Sequence, residues 1–207
     1  MKPFLRELGR AAPLDGRNID TDQILPARFL KQDRSKGYGQ LLFYDLRFDE
    51  QGSEVAEFVL NQHAYRDASI LLTEDNFGCG SSREGAVYAL SDYGIRAILA
   101  PSFGDIFHNN CLKNGILPVR LSESVCRDIR QRLQDKPGQQ IAVDLQTQQV
   151  DIEDGVSYSF EIDPFWRDCL LRGVDDLELT LGMLDQVERF EHDYFLDKPW
   201  AKPRSSV

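Results

Sequence analysis

The chain has 207 residues, 42% of them hydrophobic, and its formal net charge at pH 7 is −10. This length and apolar content are enough for one packed domain, or for one domain with a helical appendage, and they argue against disorder. The net negative charge repels nucleic acid and anionic lipid, so we expect neither as a partner. No apolar run approaches the roughly 20 residues that span a bilayer, and the N-terminal segment lacks an apolar signal core, which predicts a cytoplasmic protein without membrane contact.

The four cysteines, Cys79, Cys111, Cys126 and Cys169, are scattered, and none of them lies in a CxxC pair. A disulfide framework is therefore not expected. A self-contained zinc or iron–sulfur site would need closely spaced thiolates, so we predict that this chain alone binds no metal.

The first part of the chain predicts little regular structure. Residues 13–30 combine turn formers and charges with a few apolar side chains, which is typical of a short strand followed by a loop. Residues 34–40, RSKGYGQ, predict a flexible basic loop. Apolar side chains in residues 54–65 repeat at helical spacing and predict a helix there.

The rest of the chain has a clearer pattern, in which short apolar strands alternate with helices. The predicted strands are 69–72, 97–100 and 116–121, and the predicted helices are 82–93, 103–113 and 122–134. Three antiparallel strands are then expected at 140–145, 149–152 and 156–162, followed by helices at 163–173 and 181–196. This alternation indicates an α/β sheet with crossover helices and a helical C-terminal extension.

The chemically informative run is NFGCGSSRE, residues 76–84. Its two glycines allow a ligand to approach the main chain, and a helix N-terminus that follows favours an anion. The hydroxyls of Ser81 and Ser82 and the donor fork of Arg83 complete a local positive site suited to a carboxylate. The alternative is structural, because Ser81 and Glu84 also fit the S-x-x-E capping box.

A second polar cluster, NIDTDQ at residues 18–23, has two acids two residues apart. They could orient an arginine or a substrate hydroxyl, or they could form a solvated Asx turn.

These residues resemble a known family. The runs NFGCGSSRE and GIRAILAPSFGDIFHNNCLKNGILPV are similar to the swivel domain of the aconitase superfamily. The opening NIDTDQILPARFL and the later IDPFWRDCLLRGVDDLELTL resemble the small-subunit family of 3-isopropylmalate dehydratases, with matching order over roughly residues 14 to 190. The resemblance implies a swivelling β/β/α domain, which we place at residues 1–162, a helical extension at 163–197 packed on it and a loose tail at 198–207.

The resemblance also implies an activity. The partner would be an iron–sulfur large subunit that carries a [4Fe–4S] cluster, and the substrate a small di- or tricarboxylic hydroxy acid. Together the subunits would interconvert 2- and 3-isopropylmalate in leucine biosynthesis. Ser81 matches the family's catalytic base and Arg83 its carboxylate-binding arginine; Ser82 lies beside them, and Thr21 and Asp22 match a pair that lines the same site.

One position departs from the family pattern. The family commonly reads SREHA here, whereas Gly85 replaces the histidine, which leaves the choice of substrate open. In the basic loop, Arg34 or Lys36 could reach a second carboxylate, or the loop could be merely solvated. The alternatives are a related hydro-lyase subunit for citraconate, dimethylmaleate or homoaconitate, and a non-catalytic binding module with the swivel fold.

Overall fold

The computed structural model describes residues 1–80, 82–153 and 155–203. The chain divides into two compact units, Met1–Gly173 and Val174–Val207. The first unit includes a helix, Pro164–Arg172, that the sequence assigned to the C-terminal extension. This helix belongs to the first unit because Leu170 is fully buried there and its carbonyl accepts a 2.9 Å hydrogen bond from the Phe4 N–H.

The first unit is built on a seven-stranded mixed sheet with the order β4-β3-β2-β1-β5-β6-β7. Its strands are β1 (Arg6–Pro13), β2 (Ile70–Leu72), β3 (Ala97–Ala100), β4 (Leu117–Arg120), β5 (Gln140–Asp144), β6 (Gln149–Ile152) and β7 (Val156–Ser159). Strands β1 to β4 are parallel neighbours, whereas β5, β6 and β7 pair antiparallel. Every residue of β2 and β3 is buried, as expected for parallel strands that are covered on both faces.

Helices cover both faces of this sheet. They are α1 (Thr21–Ile24), α2 (Tyr44–Arg47), α3 (Gly85–Tyr93), α4 (Asp105–Lys113), α5 (Glu123–Asp135) and α6 (Pro164–Arg172). One core cluster joins Leu71 and Ile98 to side chains of α3 and α4. The other joins Ile70 and Leu99 to side chains of α5 and α6. Adjacent residues of one strand therefore enter opposite cores.

The second unit consists of the helices α7 (Asp176–Leu181) and α8 (Leu184–Asp197) and a 3-10 turn at Pro199–Ala201. Asp175 caps α7 through a capping box with Glu178. Residues 204–207 of the expected loose tail lie outside the described residues. None of the helices in the described part of the chain is long and apolar enough to cross a membrane.

Two predictions for the first part of the chain are wrong. A short strand was expected within residues 13–30, but the strand of this region, β1, ends at Pro13. Residues 21–24 form a short helix instead. Residues 54–65 are not a helix and contain only a 3-10 turn at Val59–Asn61. The amide of Asn61 donates to the carbonyls of Arg47 (2.7 Å) and Val55 (2.8 Å), and the Val55 N–H donates to the Arg47 carbonyl. These tertiary hydrogen bonds hold the segment as a loop despite its helical periodicity.

The loop that follows β2 is fixed on both sides at the carboxyl edge of the parallel strands. The Gly78 N–H donates to the Ile19 carbonyl at 2.7 Å, and the Gly104 N–H donates to the Phe77 carbonyl at 2.9 Å. Gly78 has φ +72°, and a Cβ on it would overlap the buried ring of Phe107. This position therefore requires glycine for its backbone angle and for its packing.

Replacing Gly78 by Ala tests this packing. The matched control is Gly52→Ala, because Gly52 has a similar φ of +79° but nothing within 4 Å of an added Cβ. Both variants bear the cost of a left-handed alanine, and only Gly78→Ala also overpacks Phe107. We expect Gly78→Ala to lower the free energy of unfolding by about 1–3 kcal/mol more than Gly52→Ala, measured by urea denaturation. Equal losses would contradict the packing argument.

Candidate functional site

The polar cluster at residues 18–23 follows β1 and lies beside the glycine-rich loop. Asp20 caps helix α1: its carboxylate accepts from the Gln23 N–H at 2.8 Å, and the Gln23 side chain accepts from the Asp20 N–H at 3.0 Å. The Thr21 N–H donates to the Cys79 carbonyl at 3.1 Å. The segment is thus a capped turn attached to the loop that carries the chemistry.

Asp22 makes the contact that defines the site. Its two carboxylate oxygens accept from the two terminal nitrogens of Arg83, the Nη2–Oδ2 pair at 2.8 Å, and Oδ1 also accepts from the Ala27 N–H at 3.1 Å. The sequence left open whether these acids orient an arginine or form a solvated turn. The structure divides the two roles, since Asp20 caps the turn and Asp22 orients Arg83.

This pair shifts the ionisation of both partners. The hydrogen bond from Arg83 lowers the pKa of Asp22 below its ordinary value, and the hydrogen bond to Asp22 raises the pKa of Arg83. Both groups therefore stay charged at neutral pH. A guanidinium has five N–H donors, and within the described residues Asp22 uses two of them. Three N–H groups of Arg83 remain for a second acceptor such as a substrate carboxylate.

Helix α3 begins at Gly85, with Glu84 at the N-cap position, and no described side chain caps it. This start is three residues later than a capping box of Ser81 with Glu84 would require. Ser81, on which that alternative and the predicted catalytic base both rest, lies outside the described residues. Ser82 is exposed beside Arg83, whose side chain is partly exposed.

Thr21 is placed differently from the other predicted site residues. Its side chain is only 1% exposed, and among the described residues its hydroxyl has no hydrogen-bond partner. The side chain is therefore buried under the loop, next to Cys79, and does not reach the surface where Asp22 and Ser82 lie. A buried hydroxyl without a partner costs stability.

The two candidates in the basic loop also differ. Both terminal nitrogens of Arg34 bind the carboxylate of Asp92, which lies near the end of α3. Lys36 is exposed, and the described residues contain no hydrogen bond or ion pair to its amine. The structure therefore leaves Lys36 available for a ligand and engages Arg34 within the protein. Asp92 was missed by the sequence analysis, since a lone aspartate near a helix end carries no motif.

Comparison with known proteins identifies the chain. A family model described as the Aconitase C-terminal domain matches residues 1–124, and a second, LeuD_N, matches residues 128–164. A 3-isopropylmalate dehydratase small subunit from Rhodospirillum centenum is 50% identical over 201 residues, covering 97% of this chain and 99% of the relative. One from Brevibacillus brevis is 49% identical over 191 residues, covering 92% and 98%. The chain belongs to the 3-isopropylmalate dehydratase small-subunit family.

A solved structure supports the fold of this family member. The crystal structure of 3-isopropylmalate dehydratase from Methanocaldococcus jannaschii aligns with a TM-score of 0.65 at 25% identity, covering 89% of this chain and 99% of that one. The prediction of an aconitase-type α/β domain is therefore confirmed, as is the resemblance to the family.

Gly85, where this small subunit departs from the family pattern, is buried at the first position of α3. A Cβ on Gly85 would lie 2.8 Å from Leu30 Cδ2 and 3.0 Å from Leu25 Cδ2. From the sequence alone, this glycine left the choice of substrate open. The structure adds that the end of the Leu30 side chain occupies the space that a side chain at position 85 would need.

The cysteines of this small subunit are not arranged to hold an iron–sulfur cluster. Cys111, Cys126 and Cys169 are buried in the core, and burial raises the pKa of Cys111 and raises that of Cys126 to about 11. The Cys111 and Cys126 thiols therefore stay protonated at neutral pH, whereas a metal ligand must be a thiolate. In the described part of the chain, no three His, Cys, Asp or Glu side chains are placed to hold a metal ion. The residues present therefore do not fit a resident cluster.

The pairing of Asp22 with Arg83 predicts a specific titration. The pKa of the Asp22 carboxyl should lie below 3.8, and Arg83→Gln should raise it towards that value. The pair contributes fully to the folding stability above the pKa that Asp22 has in the unfolded chain. This contribution is lost as the pH falls through the lower pKa that Asp22 has in the folded protein. Carboxyl ¹³C NMR titration measures both variants. Asp45, whose pKa is lowered by Arg28, is the internal control and should not change. An Asp22 pKa that is the same in wild type and Arg83→Gln would refute the pairing.

Proposed function

We propose that this chain is the small subunit of a heteromeric hydro-lyase that isomerises 2-isopropylmalate and 3-isopropylmalate through 2-isopropylmaleate in leucine biosynthesis. The observation that carries the proposal is the Asp22–Arg83 pair at the carboxyl edge of the parallel strands, beside the exposed Ser82. Ligands of open α/β sheets bind at this edge. The three N–H groups of Arg83 that Asp22 does not use can receive one carboxylate of a small hydroxy acid there.

In this proposal the residues of the small subunit bind the substrate and move one proton. Dehydration breaks a C–O bond at one carbon and a C–H bond at its neighbour, and water then adds in the opposite sense. Ser81 takes the proton from carbon and returns it. A serine hydroxyl is a weak base, so its activation depends on nearby positive charge. Arg83 supplies that charge and binds a carboxylate, Asp22 orients Arg83, and Ser82 contributes a further hydroxyl.

The remaining predicted site residues take indirect or peripheral roles. Thr21 is buried and supports the loop from below. We assign the second substrate carboxylate to Lys36, whose exposed amine has no partner among the described residues. The Arg34 guanidinium is bound by Asp92 and, unlike that of Arg83, also lies against the rings of Tyr38 and Tyr88.

Loss of hydroxide also needs a Lewis acid to stabilise the leaving oxygen. The described residues of this chain offer no ligand set for one. We therefore assign the [4Fe–4S] cluster to an iron–sulfur large subunit, and the complete site to the junction of the two chains. A cytoplasmic location stays a prediction of the sequence.

The structure at Gly85 favours one second candidate. A Cβ on Gly85 would lie 2.8 Å from Cδ2 of Leu30, so a histidine at this position would require the Leu30 side chain to move. A related hydro-lyase acting on citraconate, dimethylmaleate or homoaconitate would keep the same fold and chemistry. An extra methylene in an apolar pocket changes binding by only about 1–3 kcal/mol, so the substrate must be measured.

Anaerobic co-expression with the large subunit from the same organism tests the proposal. We expect ultraviolet absorbance to follow formation and loss of the unsaturated acid from 3-isopropylmalate, with both chains required and with citraconate a poorer substrate. Ser81→Ala should abolish this turnover in a complex that assembles normally. Faster turnover of citraconate would favour the second candidate. Full activity of Ser81→Ala would overturn the assigned base.

Arg83→Lys tests the carboxylate fork in the same complex. Lysine keeps the charge but loses bidentate geometry. We expect kcat/KM for 3-isopropylmalate to fall on the order of 10- to 100-fold, the loss expected for a charge-assisted hydrogen bond. Arg66→Lys is the matched control, because the Arg66 fork pairs with Glu54 in a different loop, and it should leave kcat/KM unchanged. Similar activity of the two variants would exclude substrate binding by Arg83.

A further inference from the structure

A single carboxylate holds both ends of the turn in the basic loop. Oδ2 of Asp92 accepts from the Tyr38 N–H at 2.7 Å and from Arg34 Nη1. Oδ1 accepts from Arg34 Nη2 at 3.1 Å. The Asp92 side chain is 23% exposed, so these contacts are only partly screened by solvent. Asp92 therefore closes the residues between Arg34 and Tyr38 against helix α3.

Aromatic rings extend this contact along one face of the helix. The Arg34 guanidinium lies 4.5 Å from the ring centroid of Tyr88 and 5.4 Å from that of Tyr38. Tyr88 and Asp92 are four residues apart and share a helix face. The Tyr88 hydroxyl donates to the Glu84 carboxylate at 2.6 Å. The side chains that hold Arg34 thus form a continuous row that begins at Glu84, next to Arg83.

The backbone of the loop fits the same helix closely. A Cβ on Gly39 would lie 2.7 Å from the Asp92 carbonyl oxygen, so no other residue fits there without movement. The Tyr38 side chain is buried, and its hydroxyl donates to the Gln32 carbonyl at 2.9 Å. The loop is therefore closed on itself and seated on α3.

This seat connects the loop to the proposed site. Leu30 and Tyr38 both approach the position of a Cβ on Gly85, Leu30 at 2.8 Å and Tyr38 at 4.0 Å. Gly85 is two residues beyond Arg83 on the same backbone. The start of α3 therefore contacts the segment that carries Lys36, whose amine has no partner among the described residues, and lies next to Arg83 in the chain.

We propose that Asp92 is a positioning residue, which holds the basic loop so that Lys36 and Arg83 receive the two carboxylates of one substrate. The inference rests on the proposed function, since the position of the loop matters only if both residues share a ligand. Asp92 does not touch the substrate and acts through Arg34 and Tyr38. In this proposal Arg34, which is bound by Asp92 and lies against the Tyr88 and Tyr38 rings, is a structural contact of the loop.

The first test is steady-state kinetics of the reconstituted complex with Asp92→Asn. The variant removes the charge that binds Arg34 and keeps a side-chain oxygen for the Tyr38 N–H. We expect KM for 3-isopropylmalate to rise about fivefold, as for the loss of one partly exposed ion pair, with kcat within about twofold of wild type. The melting temperature should not change. Asp92→Glu keeps the charge and should restore much of the lower KM.

Limited trypsin digestion of the same complexes reports the loop directly. Lys31, Arg34 and Lys36 are cleavage sites in or beside the loop. We expect faster cleavage there in Asp92→Asn than in wild type. Glu54→Gln is the control for both experiments, since it breaks the bidentate pair with Arg66 in another loop. It should change neither KM nor cleavage at these sites.

The outcomes separate this inference from the proposed function. An active wild-type complex with the same KM in wild type and Asp92→Asn would overturn the positioning role alone. A large fall in kcat together with a lower melting temperature in Asp92→Asn would also overturn it, because that result indicates a general structural defect. A wild-type complex that ignores isopropylmalate but hydrates citraconate would overturn the proposed substrate, and the fivefold rise in KM would then be expected for citraconate. A wild-type complex inactive on both substrates would overturn both proposals.

Discussion

The pairing of Arg83 with Asp22 is the interaction on which the rest of the site depends. It joins the segment after β1 to the segment after β2, two parts of the chain that are 61 residues apart. A partly exposed ion pair contributes little stability by itself. Here its partners are already fixed, since Asp22 lies in a capped turn and Arg83 follows a loop held by Gly78 and Phe107. The pair therefore stabilises one orientation of the arginine more than it stabilises the fold.

An arginine already bound by a carboxylate is still able to receive another. Asp22 accepts from two of the five N–H groups of the Arg83 guanidinium, and three N–H groups remain for another acceptor. This matters in a chain with a formal charge of −10, whose overall field repels acids. The local donors must offset that field at short range. An arginine held in place meets this need better than a mobile lysine, because less side-chain entropy is lost on binding.

The sequence predicted the elements whose signals are local. The strand at 97–100 and the helix ending at Gly94 were predicted correctly. A short apolar run and a glycine at a helix end are local signals that do not depend on distant parts of the chain. Strand β1 was missed because its exposed charges hide the pattern, and its pairing with β5 joins distant residues. The same division applies to the site. Arg83 has a motif around it, whereas Asp92 acquires its role only when Arg34, 58 residues away, folds against it.

Helix α3 links these local and distant features. Its first residue, Gly85, receives Leu30, and its eighth, Asp92, receives Arg34 and Tyr38, so one rigid element contacts the 30–38 segment at both ends. A side chain at position 85 would have to displace the end of the Leu30 side chain. Asp92 would still hold Arg34 and Tyr38. In the proposed site, residue 85 and Asp92 therefore both bear on where the basic loop lies relative to Arg83, although neither of them touches the substrate.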